Sequence, residues 1–377
     1  MNQSPRFAFH CKRGSGLALY LPEFTSGYPD EEQGGLGALD LVFIDEQFAC
    51  RTKEKINKRS GRWDDVYFEL QRKAEKSLRL GPWSVTYHPS PAASKNLHDY
   101  YSEGPYWWPD PNDPEAPYIR RDGEVNPHAF TAHRQALTEL ADAVLLLSQA
   151  GYYLDGRVYT ERAVELLKIW FLAAETKMNP HLEYAQAVRG ICEGRNIGII
   201  DTVALISVVH ACGLLALTGE CQQELQQLKA WFASYLTWLN TSEKGLAEKH
   251  YFNNHGNWWN TQAAAYSSFV GNESLLAECF ERFKTIILPE QMDLDGSFRD
   301  EIKRTNSFGY SLFNLEASAL LCEVAHYRGL DLWHYRTPDD KGMEAGISFI
   351  LPYIENPFSW PHQQIAGCLP ADNLSLQ

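Results

Sequence analysis

A long apolar segment from Ile197 to Leu217 restricts the fold of this chain more than any other feature. Its length would suit a membrane span, but Asp201, Ser207 and His210 interrupt it, and such side chains are rare inside a bilayer. A helix that is apolar almost all round needs cover on both faces. We therefore predict a buried helix rather than a membrane span.

Helical periodicity continues through most of the chain. Asp64 and Asp65 open a helix that Gly81-Pro82 ends, and apolar residues between Leu137 and Leu145 follow the i, i+3, i+4, i+7 pattern. Further helices are predicted around 163–170 and at about 221–240, 257–270, 273–287, 307–328 and 341–352. Strand signals are almost absent. Some helices are apolar almost all round, and others are amphipathic with one apolar face. This mixture predicts an all-α fold, namely an α/α toroid (an incomplete α/α barrel). A helical bundle is the alternative.

The chain divides into two parts by composition. Residues 1–60 are predicted to form a mostly irregular N-terminal arm, with one short strand at Leu41–Ile44 and a basic, solvated stretch from Arg51 to Arg62. Residues 61–377 are predicted to form a single toroid domain. Within it, residues 82–127 are rich in proline and carry six aromatic residues between Tyr100 and Tyr118. That segment is too aromatic for disorder, so we predict an ordered loop over a cleft.

The net charge of −14 argues against nucleic acid and anionic membranes as partners. An acidic polysaccharide stays possible if a local basic patch binds it.

The N-terminus lacks the apolar region of a signal peptide. The sequence as it stands therefore predicts a cytoplasmic protein, or a secreted or periplasmic one if a leader has been removed. The oligomeric state stays open.

Residues 251–259 hold three asparagines, one histidine and four aromatic residues. A helix start with an asparagine cap and tryptophans in the core is one explanation. The other is a site for an oxygen-rich ring, where amides and imidazole bind hydroxyl and carboxylate groups and aromatic faces stack on the sugar. Two further clusters accompany this segment: Gly104-Pro105-Tyr106-Trp107-Trp108-Pro109-Asp110-Pro111, and Arg304 six residues before Tyr310.

These three motifs, in this order, resemble the alginate lyase superfamily of polysaccharide lyases over about residues 64–350. The match rests on Asn254-His255 followed by Gly-x-Trp, on the Gly-Pro-Tyr-Trp-Trp-Pro-Asp-Pro segment, and on the Arg304–Tyr310 spacing. The Asn-His-Gly-x-Trp form looks closer to the glucuronan-type branch than to the Asn-His-Ser-Tyr-Trp form of the classical bacterial alginate lyases. The resemblance implies an α/α toroid.

The resemblance to the alginate lyase superfamily also implies a reaction that needs no metal and no cofactor. A 1,4-linked polyuronate, glucuronan or alginate, would be cleaved by β-elimination to leave 4,5-unsaturated uronate ends. The implied catalytic residues are Tyr310 as proton carrier, His255 as hydrogen-bond donor or base, and Asn254 with Arg304 as the groups that stabilise the carboxylate. We expect Arg304 to shift the Tyr310 phenol toward ionisation, because a nearby positive charge favours the phenolate.

A second set of residues is predicted to contact the acidic polysaccharide or oligosaccharide. The aromatic candidates are expected to stack on sugar rings, and the basic candidates to meet neighbouring carboxylates. Each could instead be a core residue or a solvated charge. The set is Tyr106, Trp107, Trp108, Arg120, His133, Arg134, Trp258 and Asn314, with Arg195 and Asn196 as weaker candidates.

Three other functions remain open at this point. A glycoside hydrolase such as an unsaturated-uronyl hydrolase would need cleft carboxylates, which Asp293, Asp295, Asp300 or Glu301 could supply. A non-catalytic acidic-sugar-binding protein would keep the aromatics without needing Tyr310. A metal enzyme would use His250 and His255, whose spacing does not suit a helical ligand pair. The preferred uronate and endo or exo action also stay open, although the motif favours glucuronan or mannuronate-rich alginate.

Overall fold

The computed structural model describes residues 42–113 and 115–365, and most of them are helical. The helices are α1 Glu46–Lys58, α2 Arg62–Ser77, α3 Ala132–Tyr153, α4 Arg157–Leu167, α5 Leu205–Thr218, α6 Gln222–Thr241, α7 Glu243–Lys249, α8 Asn254–Val270, α9 Glu273–Arg282, α10 Leu288–Gln291, α11 Ser307–His326 and α12 Met343–Glu355. The strands are β1 Tyr101–Glu103, β2 Trp107–Trp108, β3 Ile119–Arg120 and β4 Tyr184–Ala187.

The long helices form two layers. In the inner layer α5 contacts α3 and α8, and α8 contacts α11. In the outer layer α4 packs on α3, α6 and α9 pack on α8, and α12 packs on α11. Inner helices bury residues on nearly all sides, whereas α4 and α9 bury one face. This arrangement confirms the predicted incomplete α/α toroid.

The apolar segment is a core helix, as predicted. Within the described residues one stretch, Asn196–Thr218, is long and apolar enough to cross a membrane, and 83% of its most apolar 18-residue window is buried inside the protein. Its first part, Asn196–Thr202, is a 3₁₀ helix. α5 follows and buries Leu205, Ile206 and Val208 completely.

The polar side chains of α8 are buried and bonded to neighbouring helices. Asn257 Nδ2 donates to Asn314 Oδ1 over 2.7 Å, and the Thr261 hydroxyl donates to the Ala317 carbonyl oxygen over 2.8 Å. Gln262 Oε1 accepts a hydrogen bond from the Thr202 hydroxyl. A buried polar group without a partner is costly, so these bonds restrict how α8 can slide against its neighbours.

The N-terminal part of the chain differs from the prediction. Residues 46–58 form α1, not an irregular arm, and Val42–Ile44 are not a strand. Ala49, Thr52 and Ile56 recur at helical spacing and are buried, while the basic residues between them stay on the outer side. The basic stretch was therefore the solvated face of an amphipathic helix. Residues 1–41 lie outside the described part, and the division at residue 60 stays a prediction.

Candidate active site

The N-terminal ends of the four inner helices meet on one side of the toroid, which we call the N-terminal face. Arg134, in the first turn of α3, lies 3.9 Å from Asp201 in the segment that leads into α5. Asn254, the first residue of α8, binds Glu301 just before α11. Aligned helix dipoles give this face a positive potential, which suits an anionic ligand on a chain of net charge −14.

The aromatic segment folds over the N-terminal face, as predicted. Strand β1 pairs in parallel with β4, and β2 pairs antiparallel with β3, so that Trp107 lies opposite Arg120 and Trp108 opposite Ile119. The Asn126 N–H donates to the Pro105 carbonyl oxygen over 2.7 Å and closes the hairpin. These bonds hold the segment in one shape and bring Tyr106 and Asp122 to α11.

Tyr310 lies between two groups that act on its phenol in opposite directions. Its Oη is 2.7 Å from Tyr106 Oη, and the Arg304 guanidinium carbon lies 3.8 Å from the centre of its ring. Burial, together with the contact to Tyr106, raises the pKa of Tyr310 well above its usual value, although Arg304 opposes the rise. The expectation of a phenol shifted toward ionisation is therefore wrong, because the desolvation cost exceeds the attraction of one cation. Tyr310 is a neutral phenol in this state.

Arg304 is already paired with a carboxylate. Its Nη2 donates to Asp122 Oδ1 over 2.9 Å, and Thr305 and Arg120 also bind Asp122. Burial alone would raise the pKa of Asp122, but the bonds from Arg304 and its neighbours lower it to about 2. We predicted a guanidinium that is available to the sugar carboxylate. In the structure the Arg304 guanidinium is instead paired with Asp122. Arg304 ties the aromatic segment to α11 and covers the Tyr310 ring.

Asn254 is fully buried and forms a pair with Glu301. Both its backbone N–H and its Nδ2 donate to Glu301 Oε1 over 2.8 Å. Asn254 Oδ1 and Glu301 Oε2 have no hydrogen-bond partner among the described residues. Burial raises the pKa of Glu301 despite the bonds from Asn254. Both atoms are acceptors with unused hydrogen-bonding capacity, and they lie at the N-terminal end of α8 beside His255.

His255 is oriented by a carboxylate from α7. Its Nδ1 lies 2.7 Å from Glu248 Oε1, and Asn196 Nδ2 donates to Glu248 Oε2 over 2.9 Å. A carboxylate accepts hydrogen bonds, so Nδ1 carries a proton, and Nε2 is the ring nitrogen left for a ligand. Within the described part of the chain Nε2 has no hydrogen-bond partner. The side chain stays 15% exposed, which leaves Nε2 available to a ligand.

Five of the predicted ligand-contacting residues line the N-terminal face. Trp107 and Trp108 are half-buried in the hairpin, and each has an arginine over its ring, Arg195 for Trp107 and Arg121 for Trp108. Arg120 is exposed, and Arg134 is 40% exposed beside Asp201. With the half-buried Tyr106, they are positioned for contacts to a bound chain.

Three other predicted contact residues lie in the core instead. Trp258 is 1% exposed and packs against Phe313. Asn314 is fully buried and donates to Gln291 Oε1 over 3.1 Å. His133 is 1% exposed. Direct sugar contact is therefore not supported for these three, because helical spacing places them under the face and not on it.

His133 is held as a neutral ring by two backbone groups. Its Nε2 lies 2.7 Å from the His88 carbonyl oxygen, and its Nδ1 accepts the Tyr101 N–H over 3.0 Å. A second proton would break the bond from Tyr101. Burial lowers the pKa of His133 to about 4 from its usual 6.5.

This arrangement predicts an acid-sensitive stability. Between about pH 6.5 and about pH 4 the unfolded state binds a proton that the native state does not, so the contribution of His133 is complete above pH 6.5 and falls as the pH drops. The slope is at most about 1.4 kcal/mol per pH unit. We expect His133→Gln to remove that slope, measured as the free energy of urea unfolding at several pH values. Equal slopes in the two proteins would contradict the assignment.

The structure adds functional residues that sequence reasoning missed or assigned differently. Glu248 was missed, and nothing in the sequence links it to His255 apart from a separation of seven residues. Asp122 was missed, because its partner Arg304 is distant along the chain. Glu301 was considered only as a hydrolase carboxylate, although its position three residues before Arg304 places both in one turn.

Comparisons with known proteins agree with this site. The family model described as alginate lyase matches residues 84–360. The crystal structure of an alginate lyase from Bacteroides ovatus shares 34% sequence identity, with a TM-score of 0.82 over 89% of this chain and 88% of that chain. Alginate lyase A1-III from Sphingomonas species A1 shares the fold at 15% identity, with a TM-score of 0.52 over 86% and 83% of the two chains.

A variant of alginate lyase A1-III, complexed with tetrasaccharide, gives a TM-score of 0.53 at 15% identity over 86% of this chain and 82% of that chain. A comparison with curated proteins finds no match. The family model covers well over half of the chain, and the Bacteroides structure aligns over nearly all of it. With the toroid and the Asn254–His255, Arg304 and Tyr310 motifs brought together on one face, the chain belongs to the alginate lyase family of polysaccharide lyases.

Proposed function

We propose that this protein cleaves a 1,4-linked polyuronate, glucuronan or alginate, by β-elimination at the N-terminal face. The observation that carries the proposal is the neutral Tyr310 phenol, held by Tyr106 and Arg304 on the same face as the free Nε2 of His255. The related structures, which are alginate lyases and include one complexed with tetrasaccharide, support an acidic oligosaccharide as the ligand.

The first chemical requirement is to make the C5 proton of a uronate acidic enough to remove. Negative charge builds on the sugar carboxylate as that proton leaves, so donors aimed at the carboxylate lower the barrier. Asn254 Nδ2 carries two hydrogens and donates one of them to Glu301 Oε1. We assign the second hydrogen to the sugar carboxylate.

The second requirement is a proton donor for the departing C4 oxygen. A neutral phenol carries that proton, and Tyr310 is neutral on the free enzyme because burial raises its pKa. A donor must lie within hydrogen-bond reach of the oxygen it protonates. Tyr310 lies in the first turn of α11 and is half-buried, so a bound sugar can reach its Oη when the hydrogen bond to Tyr106 breaks.

The choice of base depends on the stereochemistry of the sugar. In β-linked mannuronate and glucuronate the C5 hydrogen and the C4 oxygen share one face of the ring, so one group can serve both. Tyr310 passes its phenol proton to His255 Nε2, takes the C5 proton and delivers it to the C4 oxygen, and His255 then returns the first proton to Tyr310. In guluronate the two lie on opposite faces, so a second group must take the C5 proton. We assign that role to His255 Nε2, whose ring Glu248 orients. We favour a same-face polymer as the preferred substrate on the Asn-His-Gly-x-Trp motif.

The hydrolase alternative lacks a suitable pair of free carboxylates. Asp293 and Asp300 form ion pairs with basic neighbours. Asp295 accepts a backbone N–H within its own turn. Glu301 is bound to Asn254. A glycoside hydrolase needs one carboxyl as acid and another as base or nucleophile across the scissile bond, and none of these four is placed for it.

A panel of saturated polyuronates tests the proposal. We expect wild-type protein to produce new conjugated absorbance from glucuronan or polymannuronate, and less from polyguluronate, because only the same-face sugars use one group for both proton transfers. Activity should persist in the presence of chelator. Reducing ends that accumulate without conjugated absorbance would show hydrolysis and contradict the proposal, as would binding of every polymer without cleavage.

A further inference from the structure

Arg195 is a half-buried cation without an anionic partner. Its Nε donates to the Gln186 carbonyl oxygen over 2.8 Å, and its Nη2 donates to Gln186 Oε1 over 3.0 Å. Among the described residues its guanidinium forms no ion pair, and its Nη1 has no hydrogen bond. Both bonds go to neutral oxygens, so the guanidinium is fixed in position without a direct ion pair, and the Asp201 carboxylate acts on it only through space.

Gln186 binds the guanidinium through neutral oxygen atoms and therefore does not neutralise its charge. Its Nε2 donates to Asp201 Oδ1 over 3.0 Å, which turns its Oε1 toward Arg195. Its N–H donates to Ser102 Oγ over 2.8 Å. Its φ of +49° lies in the left-handed region that is unfavourable for a residue with a side chain. Such strain is retained where the surrounding structure needs that residue in that conformation.

The surroundings of Arg195 are those of a sugar-binding position. The guanidinium carbon lies 5.6 Å from the centre of a Trp107 ring. A side chain at Gly104 would come within 2.5 Å of Arg195 Nη2 and 2.6 Å of the Trp107 ring, so the glycine permits this close packing. Four titratable side chains are within electrostatic range of Arg195, namely Cys192, Asp201, Arg120 and Tyr251. The Tyr251 ring in turn contacts His255 edge-on at 5.4 Å.

We infer that Arg195 binds the carboxylate of a uronate unit next to the one that is cleaved, with the Trp107 ring beside it and Gln186 as a positioning residue. This inference rests on the proposed function and identifies a second carboxylate site on the same face. An arginine guanidinium can donate two parallel hydrogen bonds to one carboxylate. A buried cation is costly unless it is paired, and the ligand supplies the missing anion.

A length series of saturated oligouronates tests this site in the full chain. For Arg195→Ala we expect kcat/KM to fall about 10- to 100-fold, mostly through KM, on oligomers long enough to reach the site. Oligomers too short to reach it should be cleaved at nearly the wild-type rate. Arg195→Lys should recover part of the loss, because it keeps the charge but not the fork. Arg157→Ala, which removes a 77% exposed arginine on α4, is the matched control.

The role of Gln186 is tested by combining variants. Gln186→Ala should raise KM with kcat unchanged, and should add little in the Arg195→Ala background, because both act on one contact. Equal losses at every oligomer length together with a lower Tm would assign Arg195 to folding and overturn the inference, and unchanged KM would do the same. A wild-type protein that forms no unsaturated product from any polyuronate would instead overturn the proposed function itself.

Discussion

Tyr310→Phe is expected to lower turnover on every polyuronate by about 10²- to 10⁴-fold, toward background. The substitution removes only Oη, and the ring that packs under Arg304 remains. The proton for the departing C4 oxygen is lost while the site keeps its shape. The measurement is kcat from the initial rate of unsaturated product, with Tm as a check on folding. Substantial turnover by this variant would exclude Tyr310 as the proton carrier.

Tyr106→Phe is the matched control, since it removes the partner hydroxyl 2.7 Å away and leaves the Tyr310 hydroxyl in place. Its turnover should fall far less. The pH profile adds an independent check. Because burial holds the pKa of Tyr310 well above 10, ionisation of this phenol should cause no loss of activity below about pH 10. A loss centred in the neutral range that vanishes in Tyr310→Phe would contradict a neutral donor.

The second large effect is expected from Asn254→Ala. Removing one donor to a charge that develops in the transition state costs about 10²- to 10³-fold in kcat. Asn254 also holds Glu301 through two bonds, so the loss should exceed that of a simple contact residue. The loss should appear in kcat and in kcat/KM alike. A change confined to KM would show that Asn254 only binds the substrate and does not stabilise the transition state.

Asn260→Ala controls for the general cost of removing a buried amide from α8. Asn260 Nδ2 donates to the Cys279 carbonyl oxygen over 3.0 Å, away from the N-terminal face. Its loss should lower the free energy of unfolding by about 1–3 kcal/mol and leave kcat near the wild-type value. Equal losses of kcat in the two variants would mean that α8 has shifted as a whole and that Asn254 has no specific role.

Much of the fold was predictable because burial is periodic in the sequence. The segment from Ile197 to Leu217 indicated a core helix, and the amphipathic helices, which have one apolar face, indicated an outer layer. Predicted boundaries failed where polar residues are buried. The helix expected from 257 begins at Asn254, because buried asparagines near a helix start look like a loop. α1 was missed because its basic residues concealed three buried positions.

The site was predictable as a set of residues but not as a set of contacts. The resemblance to the alginate lyase superfamily indicated Asn254, His255, Arg304 and Tyr310 together. It could not show that Asp122 takes the Arg304 fork or that Glu248 orients His255. These partners come from other parts of the chain that only the toroid brings near. The direction of the Tyr310 pKa was also beyond sequence reasoning, because it depends on how much burial offsets one nearby cation.

The structure of the new chain end tests the central claim most directly. Wild-type protein should be incubated with a saturated glucuronan or polymannuronate, and the products analysed by mass and by nuclear magnetic resonance. We predict fragments whose non-reducing ends carry a C4=C5 double bond and are one water lighter than hydrolysis products. Fragments with saturated, hydroxylated ends would contradict β-elimination and, with it, the roles assigned to Tyr310 and His255.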